Sequence, residues 1–150
     1  MAGVRPVNFT GTFRLALDAK SKRVAIPSKW RLESGQDFYV TPNPNGNCLS
    51  VYTLDEHQKA FAKIDAAPNL SEAEKVAAKR VFGARTHTTF CDSQGRAVLD
   101  ADQLAWAGIT TKAVLTGRGS NFEIWSPEKW KDVESQSATK LEDVAKLVGL

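Results

Sequence analysis

The feature that most restricts the fold of this chain is an internal repeat. At an offset of 73 residues, positions 23–53 superpose on positions 96–126 without a gap. The offset matches turn glycines, apolar strand positions and a helix cap, as in Gly35 with Gly108. Each copy holds about four short strands, too few to bury its own apolar face. We therefore predict that the two copies pair face to face in one pseudo-twofold β core.

Alternating apolar residues and turn signals locate the strands. In the stretch GTFRLAL, for example, Phe13, Leu15 and Leu17 fall on one face. The predicted strands are 11–17, 23–26, 37–41, 48–52, 85–92, 97–99, 112–116 and 121–125. Capping residues locate the helices. The predicted helices run from Ser28 to Gly35, from Thr53 to about Ala66, over 72–82 up to Gly83, from Asp100 to Gly108, and from Ser126 onward.

Basic charge is concentrated near the N-terminus. Residues 1–31 hold seven Lys and Arg against Asp18 alone, a net charge of +6, while the remaining residues sum to −3. This asymmetry favours an anionic partner, with nucleic acid as the first candidate and a solvated basic edge as the alternative. The seven basic residues are Arg5, Arg14, Lys20, Lys22, Arg23, Lys29 and Arg31.

An Asp…Arg turn occurs once in each copy. Asp18 and Arg23 are separated by four residues, whereas Asp92 and Arg96 are separated by three. The Asp carboxylate can accept backbone N–H groups across the turn or orient the Arg side chain. Arginine suits bidentate contact with a phosphate or a guanine edge. The alternative is an ion pair that only stabilises the hairpin.

The chain resembles a known family at these motifs. The stretches FTGTFRLALDAKSKRVAIPSKWR, DSQGRAVLDADQLAWAGI and NFEIWSPEKW are similar to the MraZ family of bacterial DNA-binding transcription regulators. The similarity covers about residues 9–130. It implies a mostly β fold with peripheral helices, a double-split, swapped-hairpin barrel of two AbrB-like (SpoVT-like) units. It also implies ring-shaped homo-oligomers, such as an octamer, that bind promoter direct repeats and repress their own division and cell-wall operon.

The resemblance also implies which residues contact double-stranded DNA. They are Arg14, Asp18, Lys20, Ser21, Lys22, Arg23, Asp92, Gln94, Gly95 and Arg96. The first motif is one residue longer than usual and has Ser21 where glycine is common, which predicts a bulged or reshaped loop because serine tolerates a positive φ poorly. Counting from Asp18 assigns the motif arginine role to Lys22, whereas counting back from Pro27 assigns it to Arg23.

The two motifs are also unequal in charge. Asp100 stands in the second copy where the first copy has Pro27, and its carboxylate lies close in sequence to the second turn. We therefore expect the first turn to carry more of the DNA binding than the second.

The resulting division of the chain has five parts. A final stripe of Leu141, Val144, Ala145 and Val148 could dock a neighbouring subunit or cap the chain's own barrel. The parts are an N-terminal extension 1–8, a first copy with its helix 9–70, a connecting helix 71–84, a second copy 85–132 and a helical tail 133–150.

Other kinds of function have little support. His57, His87, Cys48 and Cys91 show neither C-x-x-C nor H-x-x-x-H spacing, and His57 is expected on a helix surface. A nucleophile built from Cys91, His87 and Asp92 would lack a pocket. We expect no metal, cofactor, enzymatic activity, small-molecule substrate or membrane association, and a cytoplasmic, nucleoid-associated protein with reduced thiols. The main alternative is an oligomeric ring that binds protein and not DNA.

Overall fold

The secondary structure is a mixture of sheet and helix. The computed structural model describes residues 7–150, so Arg5 and most of the predicted extension 1–8 lie outside the described residues. The strands are β1 (Thr12–Ala16), β2 (Arg23–Ala25), β3 (Phe38–Asn43), β4 (Cys48–Tyr52), β5 (His87–Thr89), β6 (Arg96–Val98), β7 (Lys112–Gly117) and β8 (Phe122–Trp125). The helices are α1 (Leu54–Ala66), α2 (Glu72–Arg85), α3 (Ala101–Ala107) and α4 (Pro127–Val148).

Six of the strands form one antiparallel sheet in the order β1-β7-β8-β4-β3-β5. The outer strands β1 and β5 do not pair with each other, so the expectation of a closed barrel is wrong for the described chain. The reason is that β2 and β6 pair with each other and not with the large sheet, so within residues 7–150 no strand joins its two edges. The four helices also contain more residues than the eight strands, so the fold is mixed and not mostly β.

Strands from the two sequence copies are interleaved in the large sheet. β1 of the first copy pairs with β7 of the second, and β4 pairs with β8. The β2–β6 ribbon relates the copies most directly, because its central pair joins Val24 to Ala97, which are themselves offset by 73 residues. Beyond the ribbon, Ile26 donates to the Gly95 carbonyl at 2.9 Å and Leu99 donates to the Lys22 carbonyl at 2.8 Å. The ribbon therefore lies on a local pseudo-twofold axis.

A cluster of aromatic rings fills the centre of the core. Phe122 is fully buried, with its ring centroid 4.8 Å from Trp30, 5.2 Å from Phe9 and 5.5 Å from Phe38. The Trp30 indole also donates to the Thr10 carbonyl at 3.1 Å, so its polar edge is satisfied inside the core. These contacts hold the segment after β2 against the large sheet.

Most of the predicted helix caps are present. Ser126 caps α4 through the Lys129 N–H, and Asp100 caps α3 through the Gln103 N–H. Two predicted helix positions are wrong. The helix expected after Ser28 is a single 3-10 turn, Ser28–Trp30, and α2 continues past Gly83 to Arg85. The first difference reflects tertiary packing, because the aromatic core holds Trp30. The second arises because a glycine inside a helix costs only about 1 kcal/mol, which is too little to end the helix.

His57, on α1, is buried against β3 and α2, which corrects the expectation that it is a surface residue. Its side chain is only 6% exposed. The imidazole stacks on Tyr39 at 5.0 Å and on Phe82 at 5.1 Å, and Phe61 meets it edge-on. The Thr86 hydroxyl donates to the Phe82 carbonyl, so it accepts from His57 Nε2–H at 3.2 Å. Burial favours the neutral imidazole, and this bond places its proton on Nε2.

This burial predicts a loss of stability in acid. Desolvation lowers the pKa of His57 below its ordinary value of 6.5, so the unfolded chain takes up a proton more readily than the folded chain. The contribution to the free energy of unfolding is complete above the unfolded-state pKa and declines as the pH falls toward and through the folded-state pKa. NMR titration should find the His57 pKa below that of a model imidazole. Chemical denaturation should show a shallower acid loss for His57→Phe, and equal pH profiles would contradict the assignment.

The C-terminal half of α4 has a largely exposed apolar face. Leu141 is 58% exposed, Val144 46% and Val148 64%, whereas Trp130 and Val133 near the start of the helix pack against Trp125. The predicted stripe therefore does not cap the chain's own sheet. Of the helices in residues 7–150, none is both long enough and apolar enough to cross a membrane.

Candidate nucleic-acid interface

The first turn, residues 18–23, is organised by the Asp18 carboxylate. One carboxylate oxygen accepts the Lys20 N–H at 2.9 Å and the Ser21 N–H at 3.0 Å. These bonds lower the pKa of Asp18 below its ordinary value, and the bond from Ser21 has the larger effect on the pKa. The backbone closes when Asp18 N–H donates to the Arg23 carbonyl at 3.0 Å. Asp18 is thus ionised at neutral pH and serves as the internal brace of the loop.

The second turn, residues 92–96, is built in the same way. The Asp92 carboxylate accepts the Gln94 and Arg96 N–H groups, each at 2.9 Å, and Asp92 N–H donates to the Arg96 carbonyl at 2.8 Å. The bond from Arg96 is the main cause of a lowered pKa for Asp92. The Arg96 guanidinium donates to the Gln94 side chain at 2.6 Å, which gives the arginine a defined direction.

The geometry assigns the motif arginine position of the first turn to Arg23. Lys22 has φ of +58° and Gly95 has φ of +78°, and each directly precedes the strand arginine. The Lys22 N–H donates to the backbone carbonyl of Asp18, four residues earlier. The Gly95 N–H donates to the backbone carbonyl of Asp92, three residues earlier. The extra residue therefore widens the turn ahead of the left-handed position. Ser21 does not hold the positive φ, and Lys22 occupies the glycine position.

Lys22→Gly should stabilise the protein. A lysine in the left-handed region costs about 1–2 kcal/mol, which glycine avoids, partly offset by the greater flexibility of the unfolded chain. We expect a gain of about 0.5–1 kcal/mol in the free energy of unfolding, measured by chemical denaturation. Lys20→Gly removes the same charge from the same loop without relieving a positive φ, and it should not stabilise. Equal effects of the two variants would contradict the strain at Lys22.

The two turns come together around Asp92. Its second carboxylate oxygen lies 3.8 Å from Arg23 Nε and 4.0 Å from Arg96 Nε, so one carboxylate faces the arginines of both copies. The arginine side chains remain 40% and 44% exposed. We call residues 18–23 and 92–96 together the turn pair. The turn pair presents four cationic side chains and two carboxylates that already accept backbone N–H groups.

The other residues predicted to contact DNA lie in different surroundings. Lys20 is exposed at the tip of the first turn. The Ser21 hydroxyl oxygen is buried, so Ser21 contributes to the turn through the N–H that it donates to the Asp18 carboxylate. Arg14 is not in the turn pair. It lies in the middle of β1, opposite Val114. The Asp100 carboxylate caps α3 and lies 3.8 Å from the His87 imidazole.

The cysteines are in environments that suppress nucleophilic chemistry. Burial raises the pKa of Cys91, and burial followed by the nearby Glu123 carboxylate raises that of Cys48. Both side chains are therefore thiols at neutral pH, the less reactive form. Across residues 7–150, no three His, Cys, Asp or Glu side chains converge in a way that could hold a metal ion.

Similar proteins carry a consistent name. A family model described as "MraZ protein, putative antitoxin-like" matches residues 82–148. A Syntrophomonas wolfei protein named transcriptional regulator MraZ is 34% identical over 137 residues, which cover 91% of this chain and 94% of that relative. Proteins of the same name from Natranaerobius thermophilus and Lactiplantibacillus plantarum are 33% identical and cover 91% of this chain. These matches cover 94% and 95% of the two relatives.

Proposed function

Because the chain belongs to the MraZ family, we propose that it is a transcriptional regulator that binds double-stranded promoter DNA through the turn pair. Membership confirms the family resemblance seen in the sequence. It also confirms that the chain is not an enzyme, since the named relatives are transcriptional regulators. The observation that carries the DNA-binding proposal is the pair of arginines, Arg23 and Arg96, held side by side around Asp92.

The chemistry of the turn pair suits a DNA backbone and base edges. Both arginines are the first residues of short paired strands and stay partly exposed, so their guanidinium groups are accessible to a phosphate or a guanine edge. Lys20 adds an exposed ammonium group, which suits a phosphate as a point charge. Asp18 and Asp92 are the internal braces that keep the two loops in shape.

The proposed assembly is a ring-shaped homo-oligomer. The exposed apolar face of α4 supports self-association, because an unpartnered stripe of this kind is typical of a subunit interface. A ring presents several turn pairs, so direct repeats in a promoter would bind by avidity. We propose that the operator lies upstream of the protein's own division and cell-wall operon, that binding represses transcription, and that the protein is therefore at the nucleoid in the cytoplasm.

We also infer that the two copies represent AbrB-like units in a swapped-hairpin arrangement. The support is the exchange of strands between copies, in which β1 pairs with β7 and β2 pairs with β6. The local twofold axis through Val24 and Ala97 is what two equivalent interleaved units would produce.

Footprinting on DNA upstream of the protein's own gene tests the function. We expect protection of short repeats at regular spacing at moderate salt, and loss of protection as salt rises. A fragment with one repeat should bind far more weakly than one with several. If duplex DNA is not bound at moderate salt while the oligomer is intact, the alternative of a protein-binding ring is the correct one.

A further inference from the structure

We propose that Arg31, a residue of the first sequence copy, is a phosphate-binding residue of the second turn. This inference rests on the proposed DNA-binding function. The Arg31 guanidinium lies directly against Gly95 at the centre of the second turn. A Cβ atom on Gly95 would overlap the guanidinium carbon, Nε and one terminal nitrogen of Arg31. A residue 64 positions away in the sequence therefore completes the surface of this loop.

The position of Arg31 is set by one hydrogen bond of its side chain and by its anchored backbone. Its Nε donates to the Ile26 carbonyl at 3.0 Å, and the Ile26 N–H donates to the Gly95 carbonyl at 2.9 Å. Ile26 thus links the guanidinium to the loop, because its carbonyl is bonded to Arg31 and its N–H is bonded to Gly95. The backbone before Arg31 is anchored because Trp30 is only 1% exposed and its indole is bonded to Thr10. The guanidinium is therefore held in place before any ligand arrives.

The terminal nitrogens of Arg31 remain available. Within residues 7–150, neither terminal nitrogen has a hydrogen-bond partner, and no carboxylate oxygen lies within 4.0 Å of the group. By contrast, Arg23 and Arg96 both face the Asp92 carboxylate at 3.8–4.0 Å. Arg31 also borders an open groove whose lining includes Ser93 of the second turn and the acidic residues Glu33, Asp37 and Asp92. A fixed guanidinium with two free donor nitrogens suits bidentate binding of a phosphate.

Arg31 also reduces the difference in basic charge between the two turns. The first turn carries its own ammonium groups on Lys20 and Lys22, whereas the second has Ser93 and Gln94 at the corresponding stretch. The position that matches Arg31 in the second copy is Leu104, which is buried at 3% exposure. At this pair of equivalent positions, the second turn is met by an arginine of the other copy and the first turn has a buried leucine. The expected dominance of the first turn in DNA binding should accordingly be smaller than the charge count along the sequence suggests.

The test compares Arg31→Gln with wild type and with Arg80→Gln, which removes the same charge from an exposed position of α2. We expect Arg31→Gln to weaken binding of a multi-repeat promoter fragment by about ten-fold or more. The slope of log affinity against log salt should fall by about one per engaged turn. Arg31→Lys should keep most of the slope and recover part of the affinity, and Arg80→Gln should resemble wild type.

A second variant probes the same contact from the other side. Gly95→Ala should displace the guanidinium, and it also strains the left-handed backbone of the turn, so its loss of affinity should be at least as large as that of Arg31→Gln. Light scattering and melting curves establish that the oligomer and the fold are intact. If wild type binds DNA and Arg31→Gln changes neither affinity nor slope, the assignment of Arg31 is wrong while the proposed function stands. If wild type does not bind duplex DNA, both are wrong.

Discussion

Replacing Arg23 with alanine is expected to lower affinity for multi-repeat promoter DNA by about 100-fold or more. One lost arginine contact costs about 1–3 kcal/mol, and an oligomer loses one in every engaged subunit. The salt dependence should become shallower at the same time, because fewer phosphates are neutralised. Titration of single-repeat and multi-repeat fragments at two salt concentrations measures both effects.

The same variant separates DNA contact from a purely structural ion pair. Arg23 and Asp92 lie 3.8 Å apart with 40% and 32% of their side chains exposed, so their pairing contributes no more than about 1 kcal/mol to stability. The melting temperature and the oligomer mass of Arg23→Ala should therefore stay close to wild type. Arg80→Ala provides a matched loss of charge on α2 and should bind DNA normally. A lowered melting temperature with unchanged affinity and salt slope would show that Arg23 only supports the turn.

The second large effect is expected from the exposed face of α4. The double variant Leu141→Glu, Val148→Glu places two carboxylates in the apolar stripe, where a subunit interface would have to desolvate them. Light scattering should then report a mass near the 16.4 kDa of one chain in place of an oligomer. Circular dichroism should be unchanged, since both side chains are more than half exposed in the described chain.

Dissociation should also change DNA binding in a specific way. Affinity for a multi-repeat fragment should fall to that for a single repeat, because separate subunits no longer benefit from high effective concentration. The control Gln136→Glu, Thr139→Glu adds the same two charges to exposed positions on the opposite face of α4 and should leave the oligomer intact. An undiminished oligomer mass in the stripe variant would exclude this face as the interface.

The local structure of this protein could be predicted from the sequence because its signals act over a few residues. Ser71 and Glu74 form the predicted capping box, and Asp100 and Ser126 cap the helices that follow them. Each cap depends on an N–H three residues away, so no knowledge of the remaining chain is needed. The Asp…Arg turns are equally local, since their braces join atoms within five residues.

The 73-residue offset in the sequence also corresponds to a pairing of equivalent residues in the structure. It predicted equivalent copies, and Val24 pairs with Ala97 at the centre of the β2–β6 ribbon. Yet counting residues along the motif left Lys22 and Arg23 as alternatives for the role of the motif arginine. Backbone conformation separated them, because the positive φ that glycine provides in the second turn falls on Lys22 in the first. Sequence spacing cannot show which residue takes up an inserted position in a loop.

Contacts between residues remote in sequence could be seen only in the folded chain. The open sheet follows from β2 and β6 pairing with each other, and the burial of His57 follows from packing of α1 and α2 over Tyr39. The contacts of Asp92 with Arg23 and of Gly95 with Arg31 likewise join the two copies across the ribbon. Composition and periodicity determine which residues prefer strand, helix or turn. The pairing of strands remote in sequence depends on the packing free energy of the whole core, which no local segment contains.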